Sequence, residues 1–242
     1  MTPEETAAAT TAAVSGIAAN FMLDPATYAK GNEAGFAGLD FYAGGRAGVL
    51  GRVDADVVAD AFAFFEPESV RTNWEQALST MEPEEASALF AGCGHDWARE
   101  HLGDDVDWDR LAELLGRITD AASAAGAPLF AAWRGVDEPD DAKALALHRF
   151  NVLRELRNAL HAAAVAEAGL QPVEALLVKT PYMAPVFGWT GDLPDVGEDH
   201  RARHARAEAA TNRALAPAYA TLDDEELDEL VALCTSALGA VT

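Results

Sequence analysis

Apolar residues spaced three and four apart recur from end to end of this chain, while the alternating Val, Ile and Thr runs of half-buried strands are nearly absent. A chain with that period can bury its apolar side chains in one way only, along helix stripes, so the pattern predicts an all-α, multi-helix fold. Helices are expected over 4–19, 36–50, 54–65, 68–80, 83–101, 107–124, 128–134, 140–168, 172–179, 201–217 and 222–240. Several starts carry their own chemistry. Thr2-Pro3-Glu4-Glu5 and Thr221-Leu222-Asp223-Asp224 place a hydroxyl before an acidic first turn, and Pro67, Pro83, Pro128 and Pro172 sit where a missing N–H costs little.

With 242 residues, half of them apolar, the chain has material for one large core, and 1–242 reads as a single compact domain. The polar turn 135–141, GVDEPDD, divides it into halves 1–135 and 140–242. Gly51-Arg52-Val53-Asp54-Ala55-Asp56-Val57-Val58 follows one helix much as Gly169-Leu170-Gln171-Pro172-Val173-Glu174-Ala175-Leu176-Leu177 follows another. Each is a helix, a glycine break and a second helix, either a duplicated unit or a common helix-turn-helix corner.

Seventeen Lys plus Arg against forty Asp plus Glu give a formal charge of -23, so the surface as a whole repels polyanions. Nucleic acid and anionic membrane are therefore unexpected partners. No apolar run is expected to approach the roughly 20 residues that a membrane span needs, and acidic residues occupy the N-terminus, so a cytoplasmic location is expected. Cys93 and Cys234 are too few and too far apart for a disulfide framework. Cys93-Gly94-His95 with His101 matches no zinc spacing, so no metal site is expected, and no cofactor is indicated.

The sharpest anomaly lies in FYAGGRAGVLG, residues 41–51. At roughly 100° per residue, Phe36, Leu39, Tyr42, Ala43, Val49 and Leu50 share a face, and Arg46 falls near its middle. A guanidinium cannot shed its charge, so burying it requires a carboxylate, a ring of carbonyls or a bound anion. Asp24, Asp40 and Glu155 are candidate partners within the chain. Gly44, Gly45 and Gly48 weaken this helix, which points to close approach of another backbone or of a ligand.

A second cluster occupies HRFNVLRELRNALHAAAVAEAG, residues 148–169. Leu153, Leu156, Leu160, Ala163 and Ala164 make its apolar face, and Arg154, Arg157, Asn158 and His161 line one border. Three cationic or potentially cationic side chains on a helix edge of so acidic a chain describe a local anion site. Glu155 projects nearly opposite, toward water or another helix. His161, its proton affinity lowered by Arg157 one turn away, reads first as a hydrogen-bonded structural histidine; the alternatives are a ligand contact or proton-transfer group and a metal or haem ligand. No nucleophile elbow, HExxH, P-loop or dinucleotide fingerprint accompanies it.

Residues 180–200, TPYMAPVFGWTGDLPDVGEDH, form a long Pro- and Gly-rich loop carrying Tyr182, Phe187 and Trp189, and those aromatics predict a cover over a groove. The basic run His200-Arg201-Ala202-Arg203-His204-Ala205-Arg206 is flanked by Glu198, Asp199 and Glu208 and is expected to complement the acidic surface.

With those segments in view, the chain resembles the SalK-like family of actinobacterial proteins, which carries a helix-turn-helix label. The resemblance rests on Phe41-Tyr42-Ala43-Gly44-Gly45-Arg46-Ala47-Gly48-Val49-Leu50-Gly51 and on Leu153-Arg154-Glu155-Leu156-Arg157-Asn158-Ala159-Leu160-His161 leading to Gly169-Leu170. Phe64-Phe65-Glu66-Pro67 and Gly188-Trp189 add to it, and Asn158 stands where the family pattern has glycine. It implies an all-helical fold with two related helix-turn-helix-like units and no particular activity.

Together these features predict a pocket between the halves for a small anionic or carbonyl-bearing molecule. Arg46, Arg154 and Arg157 hold its charge, Tyr42 and His161 supply hydrogen bonds, and Trp133, Phe187 and Trp189 form apolar walls. Two rival readings use the same residues: an enzyme with His161 as general acid or base, and a ligand-responsive regulator, possibly a homodimer, that touches DNA.

Overall fold

Proline begins six of the helices, at the first position where the backbone lacks an N–H partner in any case. The computed structural model describes residues 1–241. In chain order the elements are α1 Pro3–Ala9, α2 Thr11–Leu23, α3 Pro25–Glu33, α4 Asp40–Ala47, α5 Ala55–Phe62, α6 Pro67–Thr80, α7 Pro83–His101, α8 Trp108–Ala121, α9 Pro128–Trp133, α10 Ala142–Glu167, α11 Pro172–Lys179, α12 Glu198–Tyr219 and α13 Asp224–Gly239. Short 3-10 turns follow α4 and α11. Among the described residues there is no β-strand, only an isolated bridge between Leu102 and Val241.

Helix α10 is the axis. Its 26 residues span about 39 Å at 1.5 Å per residue, and α2, α7, α8, α9, α11 and α12 pack around it. Enclosure on so many sides decides between two expectations for Glu155: it faces another helix rather than water and is buried along with Leu153, Leu156, Arg157 and His161. Of the expected apolar face, Leu160 is half-buried and Ala163 exposed.

Helix α4 has no polar face, because every residue from Phe41 to Ala47 is buried. Its glycines admit α6 at Gly44 and α7 at Gly45 and Gly48 rather than a ligand. A Cβ on Gly48 would lie 2.0 Å from the carbonyl oxygen of Pro83, and one on Gly45 would lie 2.4 Å from the Phe90 ring. The two glycine breaks both take left-handed φ, 70° at Gly51 and 74° at Gly169, which turns the chain sharply into α5 and α11.

Other boundaries shift for local reasons. The first predicted helix is broken at Thr10 into α1 and α2, and α3 was not foreseen although Asp24 caps it and Pro25 starts it. Helix α12 starts three residues before the expected 201–217 span and runs two residues beyond it, carrying Pro217 inside. Alanines also make Pro3–Leu23 long and apolar enough, by composition, to span a membrane. In the fold that stretch is half buried, with Val14, Ile17, Ala18 and Phe21 in the core.

Helix α5 ends in strain. Ala63 adopts φ 49° and ψ -63°, and the Phe64 N–H donates to the Phe62 carbonyl at 2.5 Å, the rarer and more costly hand of γ-turn. This turn throws Phe64 and Phe65 toward the segment after α11.

Candidate functional site

A groove of about 760 Å³ opens beside α10. Its floor is the α10 row Arg154, Arg157, Asn158 and His161, with Arg46 and Phe62 beneath. One wall is the small-residue face of α1 and α2, from Ala8 and Ala12 to Ser15, Gly16 and Ala19; the other is α11 with Ala175, Leu176 and Lys179, and His204 of α12. Residues from before and after the polar turn 135–141 therefore line one cavity.

The aromatic segment borders this cavity, as its composition led us to expect. Tyr182, Met183 and Phe187 line the groove with Phe64 and Phe65. The Glu66 N–H donates to the Phe187 carbonyl at 2.8 Å, the Trp189 indole N–H donates to the Phe64 carbonyl at 2.7 Å, and the Phe65 and Phe187 rings stack 4.2 Å apart. Trp189 is thus an anchor for the cover and Phe187 a wall. Tyr42 lines a smaller recess of about 80 Å³ that shares Arg154, Phe65, Met183 and Phe187 with the groove.

Arg46 meets its negative partner inside the chain. It is 1% exposed, and its Nε and Nη2 donate to the two carboxylate oxygens of Glu155 at 2.8 and 2.7 Å, the two-point geometry that a guanidinium plane favours. The Phe62 ring lies 4.4 Å from its charge centre, and the Tyr42 hydroxyl is 3.4 Å from Nη1. Trp133 does not line the groove; it is buried behind α4 and donates its indole N–H to the Arg46 carbonyl at 3.0 Å. Burial alone would raise the Glu155 proton affinity, but Arg46 and Arg154 outweigh it and hold the carboxyl below its usual range. Arg154, partly exposed, donates to Glu155 at 2.8 Å.

A second carboxylate clamps the other end. Glu208 of α12 accepts from Arg157 and, at 2.9 Å, from Lys179. Burial would raise its pKa, yet these cations hold it at about 2. Arg157 is 6% exposed, and its buried Nε has no hydrogen-bond partner. Four fixed cations against two carboxylates leave this region with an excess of two positive charges while the histidines are neutral.

His161 is neutral at physiological pH, because burial, with Arg157, His204 and Lys179 in support, pushes its pKa down to about 4 against the pull of Glu208. Its Nδ1 lies 2.9 Å from the Thr211 hydroxyl, and that hydroxyl donates to the Ala207 carbonyl at 2.8 Å. A hydroxyl has one proton to give, so Thr211 accepts from Nδ1–H and Nε2 is left as a bare lone pair. His204, Glu208, Thr211 and Lys179 were missed as site residues by sequence reasoning, which placed the 200–206 run on the surface. The available signal was the one-turn spacing of His204 and Glu208.

Comparison with known proteins adds one finding. A helix-turn-helix family model matches residues 7–191, from Ala7 in α1 to Gly191 in the covering segment. No curated protein and no solved structure matches the chain. On the extent of that family match, the chain belongs to this helix-turn-helix family.

Proposed function

We propose that the protein is a cytoplasmic binding protein for a small amphipathic anion, held in the groove beside α10. The observation that carries this reading is Arg157, a buried guanidinium with an unpaired Nε in a cavity of net positive character, on a chain whose formal charge is -23. An anionic head would lie against Arg154, Arg157 and Asn158, with His161 accepting a hydrogen bond from a protonated group. An apolar body would lie between the alanine face of α2 and the rings of Phe64, Phe65 and Phe187. Arg46 and Trp133 support this arrangement from behind, Arg46 through Glu155.

Thermal unfolding in the presence of aromatic and aliphatic carboxylates and phosphate monoesters tests the reading. A true ligand at about 100 times its Kd adds roughly 2.7 kcal/mol. That gain should vanish in Arg157→Met and shrink in Arg154→Met. If no compound of either class stabilises the protein, or if the double variant responds like the wild type, the reading is wrong.

Family membership favours a second reading, a ligand-responsive regulator, and attaches the finer SalK-like resemblance to it. Against a direct role for the two post-glycine helices stands their chemistry. Helix α5 presents Asp54, Asp56 and Asp60, while α11 turns Ala175, Leu176 and Lys179 toward the groove. DNA retained at low salt on a column of this protein would promote the regulator reading. A third use of the groove, an enzyme with His161 as base, calls for turnover of a bound anion that His161→Asn abolishes while binding persists.

A further inference from the structure

We propose that His161, His204 and Glu208 form a zinc-class metal site with an open coordination position facing the groove. Their ligand atoms all lie within 4.8 Å of one another. The Nε2 atoms of His161 and His204 stand 3.8 and 3.9 Å from the same Glu208 oxygen, Oε1. A tetrahedral ion with bonds of about 2.1 Å needs ligand atoms about 3.4 Å apart, so each histidine closes on Glu208 by about half an ångström and the two histidines on each other by at most about 1.4 Å to complete three corners.

The geometry points to a metal for a further reason. The Thr211 relay leaves His161 Nε2 unprotonated, and it faces a carboxylate oxygen with no proton between them. Converging acceptors of this kind call for a positive centre, a place that the Lys179 ammonium fills on Glu208 Oε1 when no metal is bound. Thr211 is the partner that a metal-bound imidazole needs on its far nitrogen, and Arg157 is the same for the carboxylate through Oε2. Two imidazoles and one carboxylate suit Zn²⁺ and Co²⁺; Mg²⁺ and Ca²⁺ want oxygen ligands and find one. The fourth corner falls toward the groove that His161 and His204 line, open to water or to an anionic oxygen.

Lys179 is the built-in competitor. Its Nζ occupies Glu208 Oε1 at 2.9 Å, but the side chain is half exposed and can swing into water, leaving Arg157 on Oε2. Binding therefore exchanges an ammonium for a metal on one oxygen and changes no covalent bond. This inference goes beyond the anion-binding reading and is tested without any organic ligand.

The experiment uses the full chain, free of affinity tags and stripped with chelator, titrated calorimetrically with Zn²⁺ and by visible absorption with Co²⁺. The expected result is one ion per chain and the strong ligand-field bands of four-coordinate Co²⁺. His204→Ala and Glu208→Gln should each weaken binding by more than about 100-fold while circular dichroism reports an intact fold. Lys179→Met, which removes an exposed side chain, should tighten it several-fold. Absence of stoichiometric binding in the wild type, binding that survives in His204→Ala, or no tightening in Lys179→Met would each overturn the assignment.

Discussion

Replacing Glu155 with leucine strands a guanidinium charge that is almost completely buried, and the structure says how large the penalty is. Arg46 is 1% exposed and gives both its Nε and its Nη2 to Glu155. Removing one partner of such a pair costs about 3–5 kcal/mol, because a guanidinium cannot neutralise itself by losing a proton. That is a large share of the roughly 5–15 kcal/mol by which a domain is stable. The converse change is milder. In Arg46→Leu, Glu155 keeps the hydrogen bond from Arg154 at 2.8 Å and can take up a proton, so we expect about 2–3 kcal/mol. With Arg46 gone the Glu155 pKa rises, so this variant loses further stability as pH climbs through that raised value and recovers as pH falls. In the double variant neither charge is buried, Arg154 reaches water, and the two leucines restore apolar packing to within about 1–2 kcal/mol of the wild type. Urea unfolding at neutral pH measures all four corners of the cycle. If Glu155→Leu alone fails to fold, recovery of folded protein in the double variant reads the same coupling. Additive costs, or a costlier Arg46→Leu than Glu155→Leu, would refute the assignment of this pair as a mutually dependent buried unit.

Other outcomes follow from single positions. His148 is buried beside His95, Arg149 and Glu138, and burial, with His95 and Arg149 against Glu138, pushes its pKa down to about 4. The unfolded chain binds its proton near 6.5, so its share of stability is complete above that pH and is lost between about 6.5 and 4. At about 1.4 kcal/mol per pH unit the loss amounts to at most about 3.5 kcal/mol. His148→Leu should flatten ΔG against pH in that window, and an unchanged slope would show that His148 does not carry it. Gly48→Ala should cost at least about 3 kcal/mol or prevent folding, since its methyl meets the Pro83 carbonyl oxygen at 2.0 Å, whereas Gly92→Ala, with open space around it, should gain about 0.5–1 kcal/mol. Cys93 and Cys234 are both buried, and burial pushes the Cys234 thiol up to about 12, so thiol reagents should label neither in the native protein; rapid labelling of Cys234 would contradict its packing in α13.

The helical class was legible because apolar period survives even when alanine supplies most of the apolar surface, and helix starts were legible because proline and capping side chains act locally. What escaped was set by enclosure. An amphipathic projection assumes one wet face, and α10 has almost none along its middle, so the projection left Glu155 facing water or another helix; of the three carboxylates named as partners for Arg46, it is Glu155 that meets it. The same projection identified Arg154, Arg157, Asn158 and His161 as one row, and the fold lays that row along a single groove. It said nothing of Glu208, Thr211 and Lys179, because a partner delivered by another helix leaves no trace in local spacing. Helix α3 was lost for a different reason: PATYAKGNE buries only Thr27 and Gly31, so its apolar signal is too weak to register.

The charge pattern then constrains how a helix-turn-helix scaffold can be used here. Seventeen basic residues serve the whole chain, and four of them, including one of its three lysines, converge on Glu155 and Glu208 at the edge of one cavity. A protein selected only for an acidic, well-solvated surface gains nothing by burying guanidinium groups in that fashion, since each must first be stripped of water. Helix α11 has the place in sequence of a recognition helix, but its Lys179 is engaged with Glu208 and its Ala175 and Leu176 face the groove. Presenting α11 to a DNA groove while keeping Lys179 on Glu208 leaves Gln171, Val173, Glu174, Leu177 and Val178 to meet bases and phosphates, a set without a cation. The face that α11 turns inward is therefore the one that carries its cation, and it lies across the groove from α2.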